Sequence, residues 1–341
     1  MHYPKGNKYL DGQVVTMKAL VIGGSRFIGL HLLQKLSERG VETTVVNRGN
    51  NNISYPSNCS HVKADRTNVE ELKKAIGEKH FDWCFDVVAM KGDQTKQLIQ
   101  LLDRRVEKFV HISTASVYEL ENPLTLPLHE EDLIGPTTED EFWYAREKRL
   151  CEQHLFEAYR DDDFPMTIVR PTYVYGPDNY IYREGYFFDR ILANKPVFVP
   201  KPGNAWFDLV HVDDVAELSI VVAEQPEATG QAFNASGGDM ISGEGYTKLV
   251  GKIIGQEPTI LHYSPEDLQE VEWPDKKQLF PYSGSGMMGL SMTKAAHELG
   301  FVPQYRLKDG LRHTYEWYRQ KKQTELPEWS DEDKLANHLQ S

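Results

Sequence analysis

Cysteine is scarce in this chain. Its three residues, Cys59, Cys84 and Cys151, are scattered, with no C-x-x-C pair. That spacing excludes a disulfide framework and a zinc site, so no metal is expected, and it suits a reducing, cytoplasmic setting. Long apolar runs are missing too. None approaches the about 20 residues that cross a bilayer, and the polar N-terminus lacks the apolar core of a secretory signal. Positive charge is in deficit: 38 Lys and Arg stand against 51 Asp and Glu, a net charge of −13 over 341 residues. The basic residues are dispersed, and the short run at Arg319, Lys321 and Lys322 is flanked by acids. A nucleic-acid surface needs clustered Lys and Arg, so nucleic acid is disfavoured as a partner and no membrane partner is expected. No internal repeat is visible. What remains, 40% hydrophobic and 26% charged residues, is the make-up of a globular chain long enough for one large α/β unit or two lobes.

Against these absences stands one glycine-rich turn. The apolar strand Ala19-Leu20-Val21-Ile22 runs into Gly23-Gly24-Ser25-Arg26-Phe27-Ile28-Gly29. Leu30 to Arg39 then reads as an amphipathic helix with Leu32, Leu33 and Leu36 on one face. Helix N-termini attract anions because their amides are unpaired and the helix dipole is positive there. Glycine lets the backbone approach a pyrophosphate closely. The turn is therefore a candidate dinucleotide site. Its spacing, G-G-x-x-x-x-G, departs from G-x-G-x-x-G, and a plain tight strand-to-helix turn is the alternative.

Strands and helices alternate through the first half. Strands are expected at Thr43–Val46, His61–Ala64, Phe81–Ala89, Lys108–Ser113 and Met166–Val169, and helices at Val69–Ile76, Lys96–Asp103 and Glu139–Tyr159. Such alternation implies a parallel sheet covered on both faces, with ligands bound beyond the C-terminal strand ends. The second half carries turn signals (Gly176-Pro177, Lys201-Pro202-Gly203, Gly237-Gly238) and aromatics (Tyr180, Tyr182, Tyr186, Phe187, Phe188). It reads as a smaller lobe closing over a cleft, with Val210–Ala223 returning to the first. The expected division is a first domain of residues 17–172 plus about 208–236, a substrate lobe of 173–207 and 237–320, and tails at 1–16 and 323–341.

Tyr144 and Lys148 share one face of the long helix, four residues apart. A nearby ammonium lowers a phenol's pKa, so the pair suits acid/base work. Tyr318 and Lys322 have the same spacing but sit in a hydrophilic segment and read as a solvated face. Tyr144 is distinguished by the strand before its helix, which ends in Ser113-Thr114-Ala115-Ser116 and offers a hydroxyl to a substrate oxygen; capping a turn is the alternative for Thr114. After the second strand an Asp or Glu normally binds a ribose 2′-OH, whereas an Arg accommodates a 2′-phosphate. Here the acid is missing: Asn47-Arg48 follow, and Arg26 lies in the glycine turn. The two arginines favour NADP over NAD. Asp65, ending the third strand, either accepts from an adenine amino group or caps a turn.

These segments, with Val169-Arg170-Pro171-Thr172-Tyr173-Val174-Tyr175-Gly176-Pro177, Val210-His211-Val212-Asp213-Asp214-Val215-Ala216 and Leu299-Gly300-Phe301-Val302-Pro303, resemble the extended short-chain dehydrogenases/reductases of the NAD-dependent epimerase/dehydratase family over about residues 17–320. The resemblance implies a doubly wound parallel Rossmann sheet with a smaller α/β substrate lobe. It gives Thr114, Tyr144 and Lys148 the places of the catalytic Ser/Thr, Tyr and Lys: Tyr144 the acid/base, Thr114 orienting the substrate oxygen, Lys148 binding the nicotinamide ribose and tuning the phenol. It places Gly23 to Gly29, Asn47, Arg48, Asp65, Arg66, the loop Val88-Ala89-Met90, Ser113 and Pro171 beside the cofactor, and it implies a homodimer through the helix of Tyr144. His211 to Asp214 orient the second lobe.

Departures from the pattern narrow the reading. Ala115-Ser116 stand where 4,6-dehydratases carry Asp-Glu, which argues against dehydration. Val87 to Gly92 replace the usual His-x-Ala-Ala type loop, and Tyr173 replaces an Asn that commonly contacts the nucleotide-sugar phosphate. The turn with Arg26 and the Arg170 to Pro177 segment also resemble an atypical branch that includes chloroplast RNA-binding proteins of this fold, which generally lack the Tyr/Lys pair. The expectation is an NAD(P)-dependent epimerase or reductase acting on a sugar-like or nucleotide-sugar substrate. The alternatives are a cofactor-binding sensor or interaction protein without turnover and an RNA-binding protein.

Overall fold

A computed structural model describes residues 7–10, 13–119, 125–203, 205–274, 277–282, 287–321 and 327–341. The chain opens with an antiparallel hairpin, β1 (Asn7–Leu10) and β2 (Gln13–Thr16). The alternating half follows as β3 (Lys18–Ile22), α1 (Ile28–Glu38), β4 (Glu42–Asn47), β5 (Cys59–Lys63), α2 (Val69–Ile76), β6 (Phe81–Asp86), α3 (Gly92–Leu102), β7 (Val106–Ile112), α4 (Trp143–Asp162) and β8 (Met166–Pro171). The remainder comprises β9 (Tyr173–Tyr175), α5 (Glu184–Leu192), β10 (Val197–Pro200), β11 (Trp206–His211), α6 (Val212–Glu224), β12 (Ala232–Ala235), β13 (Met240–Ser242), α7 (Gly243–Ile254), β14 (Ile260–Tyr263), α8 (Pro265–Glu270), α9 (Thr293–Leu299), α10 (Leu307–Lys321) and α11 (Ser330–Gln340).

Seven strands form one parallel sheet in the order β12-β8-β7-β6-β3-β4-β5. The order reverses between β3 and β6, which sets the ligand crevice at the C-terminal ends of those two strands. The near-continuous apolar strands follow from burial on both faces. Val21, Val45, Phe85, Val110 and Val169 point to one face, where Leu32, Leu33 and Leu36 of α1 and Val215 and Leu218 of α6 cover them. Leu20, Ile22, Val46, Cys84, Phe109 and Ile168 point to the other, under Leu72, Ile76, Leu98, Leu102 and Leu155.

The rest of the chain builds a different core. A three-stranded sheet, β13-β11-β9, and a parallel pair, β10-β14, surround buried rings of Phe187, Phe207, Tyr246, Phe280 and Tyr282. Ring centroids there lie 4.7 Å apart for Phe187–Tyr246 and for Phe207–Tyr282.

Several expected bounds shift. The strand expected to reach Ala89 ends at Asp86, because Asp86 is drawn into an ion pair and Val87 and Val88 turn to meet Gly23. The long helix begins at Trp143 rather than Glu139. Within the expected return segment, β11 pairs with β9 and β13, while α6 lies on α1 and β12 joins the large sheet. The two ends expected as tails carry structure: β1–β2 at the start, and α11 at the end, which buries Leu335 against the aromatic core and meets α8 and β14. Among the described residues no helix is long and apolar enough to cross a membrane.

Candidate active site at the C-terminal edge of the parallel sheet

The glycine turn is shaped by close approach. A Cβ on Gly29 would lie 2.6 Å from Gly24 Cα, and one on Gly23 would lie 2.6 Å from Val87 Cγ2. Gly23 and Gly24 also take φ of 116° and 75°, which L side chains rarely adopt. α1 begins after Phe27 with no side-chain cap; Gly29 N donates to Arg26 O at 3.0 Å and Leu30 N to Phe27 O at 2.9 Å, and the positive end of the helix faces the turn. Ser25 Oγ accepts from Asn51 Nδ2 at 2.9 Å, and Asn51 Oδ1 in turn accepts from Arg26 Nη2 at 3.1 Å. Arg26 lies 5.2 Å from the centre of the Tyr180 ring. This uncapped cradle fits the pyrophosphate of a dinucleotide.

The end of β4 is more committed than its sequence suggests. Asn47 Nδ2 donates to Gly23 O at 2.7 Å and to Tyr55 Oη at 2.8 Å, while its Oδ1 accepts from Gly49 N at 2.9 Å. Asn47 thus braces the glycine turn, leaving Arg48 exposed beside it. Asp65 adopts the capping alternative. Its Oδ1 accepts from Thr67 N at 2.9 Å and Thr67 Oγ1 at 2.8 Å, and these bonds hold the carboxyl below its ordinary range. Arg66 turns inward to a bidentate pair with buried Asp86, at 2.5 and 3.1 Å. Val88 and Met90 stand exposed at the crevice.

Thr114 and Tyr144 meet where β7 ends and α4 begins. Thr114 Oγ1 accepts from Ser116 N at 3.2 Å and stands close enough to the Tyr144 phenol to favour its ionised form. Burial raises the Tyr144 pKa above its ordinary value, opposed by the Thr114 bond and the positive charge of Arg183. Lys148 is buried one helical turn beyond Tyr144. Its buried Nζ donates to Ile112 O at 2.6 Å and Ala89 O at 3.1 Å and approaches His111 Nε2 at 3.4 Å. Burial lowers its pKa, as it does that of His111, which is neutral with Nδ1 unpartnered. A positive charge that acts on the phenol is that of Arg183, from the aromatic half.

Two expected cofactor residues lie below the crevice. Ser113 Oγ donates to Glu152 Oε1 at 2.5 Å, Glu152 pairs with Arg170 Nη2 at 2.7 Å, and Arg170 Nη1 donates to Tyr118 Oη at 2.9 Å. Pro171 is buried at the end of β8. His31 of α1, whose Nδ1 is 2.6 Å from Asp213 Oδ1, ties α1 to α6, and Asp214 holds the segment before α10 by accepting from Gln304 N at 2.7 Å and Tyr305 N at 3.1 Å. His211, Asp213 and His313 bring three ligand-type atoms within 4.8 Å. They are engaged with their neighbours: His211 Nδ1 accepts from Asp213 N at 3.2 Å, and its Nε2 faces His313 Nδ1 at 3.3 Å. Tyr318 donates to Asp189 Oδ1 at 2.6 Å, and Lys322 lies outside the described residues.

Arg183, Asp86 and His111 went unread in the sequence. A strand-end Asp and an Arg 20 residues before it carry no spacing signal for one another, and nothing local marks Arg183 as acting on Tyr144.

The sheet order, the uncapped glycine turn and the crevice over it define a dinucleotide-binding α/β protein. The family model for the NAD dependent epimerase/dehydratase family matches residues 19–236, and the chain belongs to that family. It is 30% identical to the chloroplast stem-loop binding protein of 41 kDa b of Arabidopsis thaliana, over 92% of this chain and 82% of that one. It is 24% identical to the UDP-N-acetyl-alpha-D-glucosaminuronate decarboxylase of Bacillus cytotoxicus, over 89% of this chain and 98% of that one. Among solved structures, the UDP-glucose 4-epimerase of Thermotoga maritima, held with UDP-glucose, superposes with a TM-score of 0.73 at 24% identity, covering 89% of this chain and 99% of that one.

Proposed function

We propose that this chain is an NAD(P)-dependent epimerase or reductase acting on a sugar or nucleotide-sugar substrate. The observation that carries the reading is the placement of the Tyr144 phenol, in the first turn of α4, beside the Thr114 hydroxyl that follows β7, at the end of the sheet where the glycine turn opens. A phenol kept protonated by burial gives its proton to a developing alkoxide and takes it back in the reverse step. Thr114 orients the reacting oxygen, and Lys148 is the buried cation one helical turn behind, suited to a ribose hydroxyl. The bound cofactor supplies hydride chemistry. The missing acid at Asn47, with exposed Arg26 and Arg48, favours NADP. Relatives named for UDP-sugars support a nucleotide-sugar substrate.

Native mass spectrometry of freshly purified protein, followed by titration with NAD⁺ and NADP⁺, tests the cofactor. Retained cofactor favours an epimerase, and loose binding with NADP⁺ preferred favours a reductase. Tyr144→Phe is expected to lower turnover of a nucleotide sugar by about 10²–10⁴-fold with cofactor affinity nearly intact. An unchanged rate removes Tyr144 from the mechanism, and failure to bind either dinucleotide removes the enzyme reading. A second reading, stem-loop RNA binding, is favoured by the 30% identical relative and opposed by the net charge of −13. Filter binding of a stem-loop RNA across a salt series decides it, because phosphate contacts weaken steeply with salt.

A further inference from the structure

The half-buried and buried arginines of the parallel-sheet half are paired with carboxylates: Arg39 with Glu217, Arg66 with Asp86, Arg149 with Glu141 and Arg170 with Glu152. Arg183 is not. It is half-buried, immediately before α5, and no carboxylate among the described residues forms an ion pair with it. Its guanidinium lies instead over the Tyr173 ring at 5.2 Å and the Tyr282 ring at 6.0 Å. The neighbouring acid is engaged elsewhere: Glu184 Oε2 accepts from Asn179 at 2.9 Å and its Oε1 from Tyr282 Oη at 3.2 Å. Rings hold the faces of a guanidinium and leave its edge N–H groups unspent, and that edge matches a carboxylate or phosphate with two parallel hydrogen bonds. Tyr173 follows directly on β8, which pairs with β7 just before Thr114, so Arg183 stands at the same edge of the sheet as the Thr114–Tyr144 pair, and its charge acts on the phenol.

We propose that Arg183 is a specificity-determining residue. It takes an anionic group, carboxylate or phosphate, that the substrate carries beside the carbon reacting at Tyr144. The inference rests on Tyr144 being the acid/base. Because guanidinium and phenol stand at one edge of the sheet, the anion belongs to the reacting end of the substrate and not to a distant diphosphate. The rings of Tyr173 and Tyr282 then have two uses: they fix the guanidinium and exclude water from its pairing.

The test uses the full chain loaded with NAD⁺, so that the cofactor's phosphate sites are filled. UDP-glucose and UDP-glucuronic acid, which differ in one carboxylate at the sugar, are titrated by calorimetry. The wild type is expected to bind UDP-glucuronic acid at least about tenfold more tightly. Arg183→Met keeps the stem on the rings and is expected to bring the two probes within about twofold, while Arg183→Lys restores part of the difference. Equal binding of both probes by the wild type overturns the inference, as does a preference that survives in Arg183→Met. If neither probe binds, the nucleotide-sugar reading fails, and inorganic phosphate reads the arginine alone. Its affinity is expected to fall about tenfold in Arg183→Met, and an unchanged affinity overturns the inference. Circular dichroism and thermal melting of each variant separate lost binding from lost fold.

Discussion

The parallel sheet and the aromatic half handle buried cations in different ways. Under the sheet, Arg170 is wedged between Glu152 and Tyr118 with its guanidinium nitrogens bonded, and Arg66 is locked to Asp86. In the aromatic half, Arg190 is as deeply buried yet lies among the rings of Tyr186, Phe198 and Trp329, 4.9–5.4 Å from their centres, with Nη1 and Nη2 unpartnered. Arg183 follows the same pattern nearer the surface. A closed ion pair is rigid and spent, and losing one partner leaves an uncompensated charge. A cation held by ring faces is attracted more weakly and keeps its donors. The first arrangement suits a frame that must hold a crevice still. The second suits a surface that meets a ligand.

The difference has measurable consequences. Glu152→Ala should have the largest effect, destabilising the fold by about 3–5 kcal/mol because Arg170 is left charged and buried; urea unfolding measures it, and a loss below 1 kcal/mol would mean the pair is not isolated from water. Arg190→Met should cost less, roughly 0.5–2 kcal/mol, the scale of a cation over aromatic rings. A cost equal to that of Glu152→Ala would erase the contrast between the halves.

A further effect concerns pH. Burial raises the Glu184 carboxyl to about 7 from an ordinary value near 4.5. A raised pKa means the folded state holds the proton more tightly, so this contribution is complete below pH 4.5 and is lost as pH rises through about 7. Thermal unfolding of wild type should therefore decline over that window relative to Glu184→Gln, and parallel curves would show the carboxyl to be better solvated than its burial implies.

Legibility in the sequence divides along the same line. The alternating elements were readable because each repeats a local period: valines and leucines on both faces of β3 to β8, and Leu32, Leu33 and Leu36 on α1. The glycine turn was readable because backbone approach demands glycine at Gly23 and Gly29. β12 was not, since Ala232–Ala235 is four residues long and holds a buried Asn234 that bonds Tyr118 at 2.6 Å. Tyr144 was visible through its strand and helix, but its electrostatic partner was not. The ammonium four residues along the helix points to Ile112 O and Ala89 O, and a charge that acts on the phenol comes from Arg183, 39 residues further along the chain.

The residues by themselves determined the parallel sheet, the glycine turn and the membership in an NAD dependent epimerase/dehydratase family, because periodicity, glycine spacing and short motifs act over a few neighbours. Only the tertiary structure decided which charges are consumed and which remain. Arg66 and Arg183 look alike along the chain. One meets Asp86 across the sheet, while the other meets the rings of Tyr173 and Tyr282. Pairing between charges depends on distance and solvent exclusion in space, and neither is encoded in the local spacing of residues.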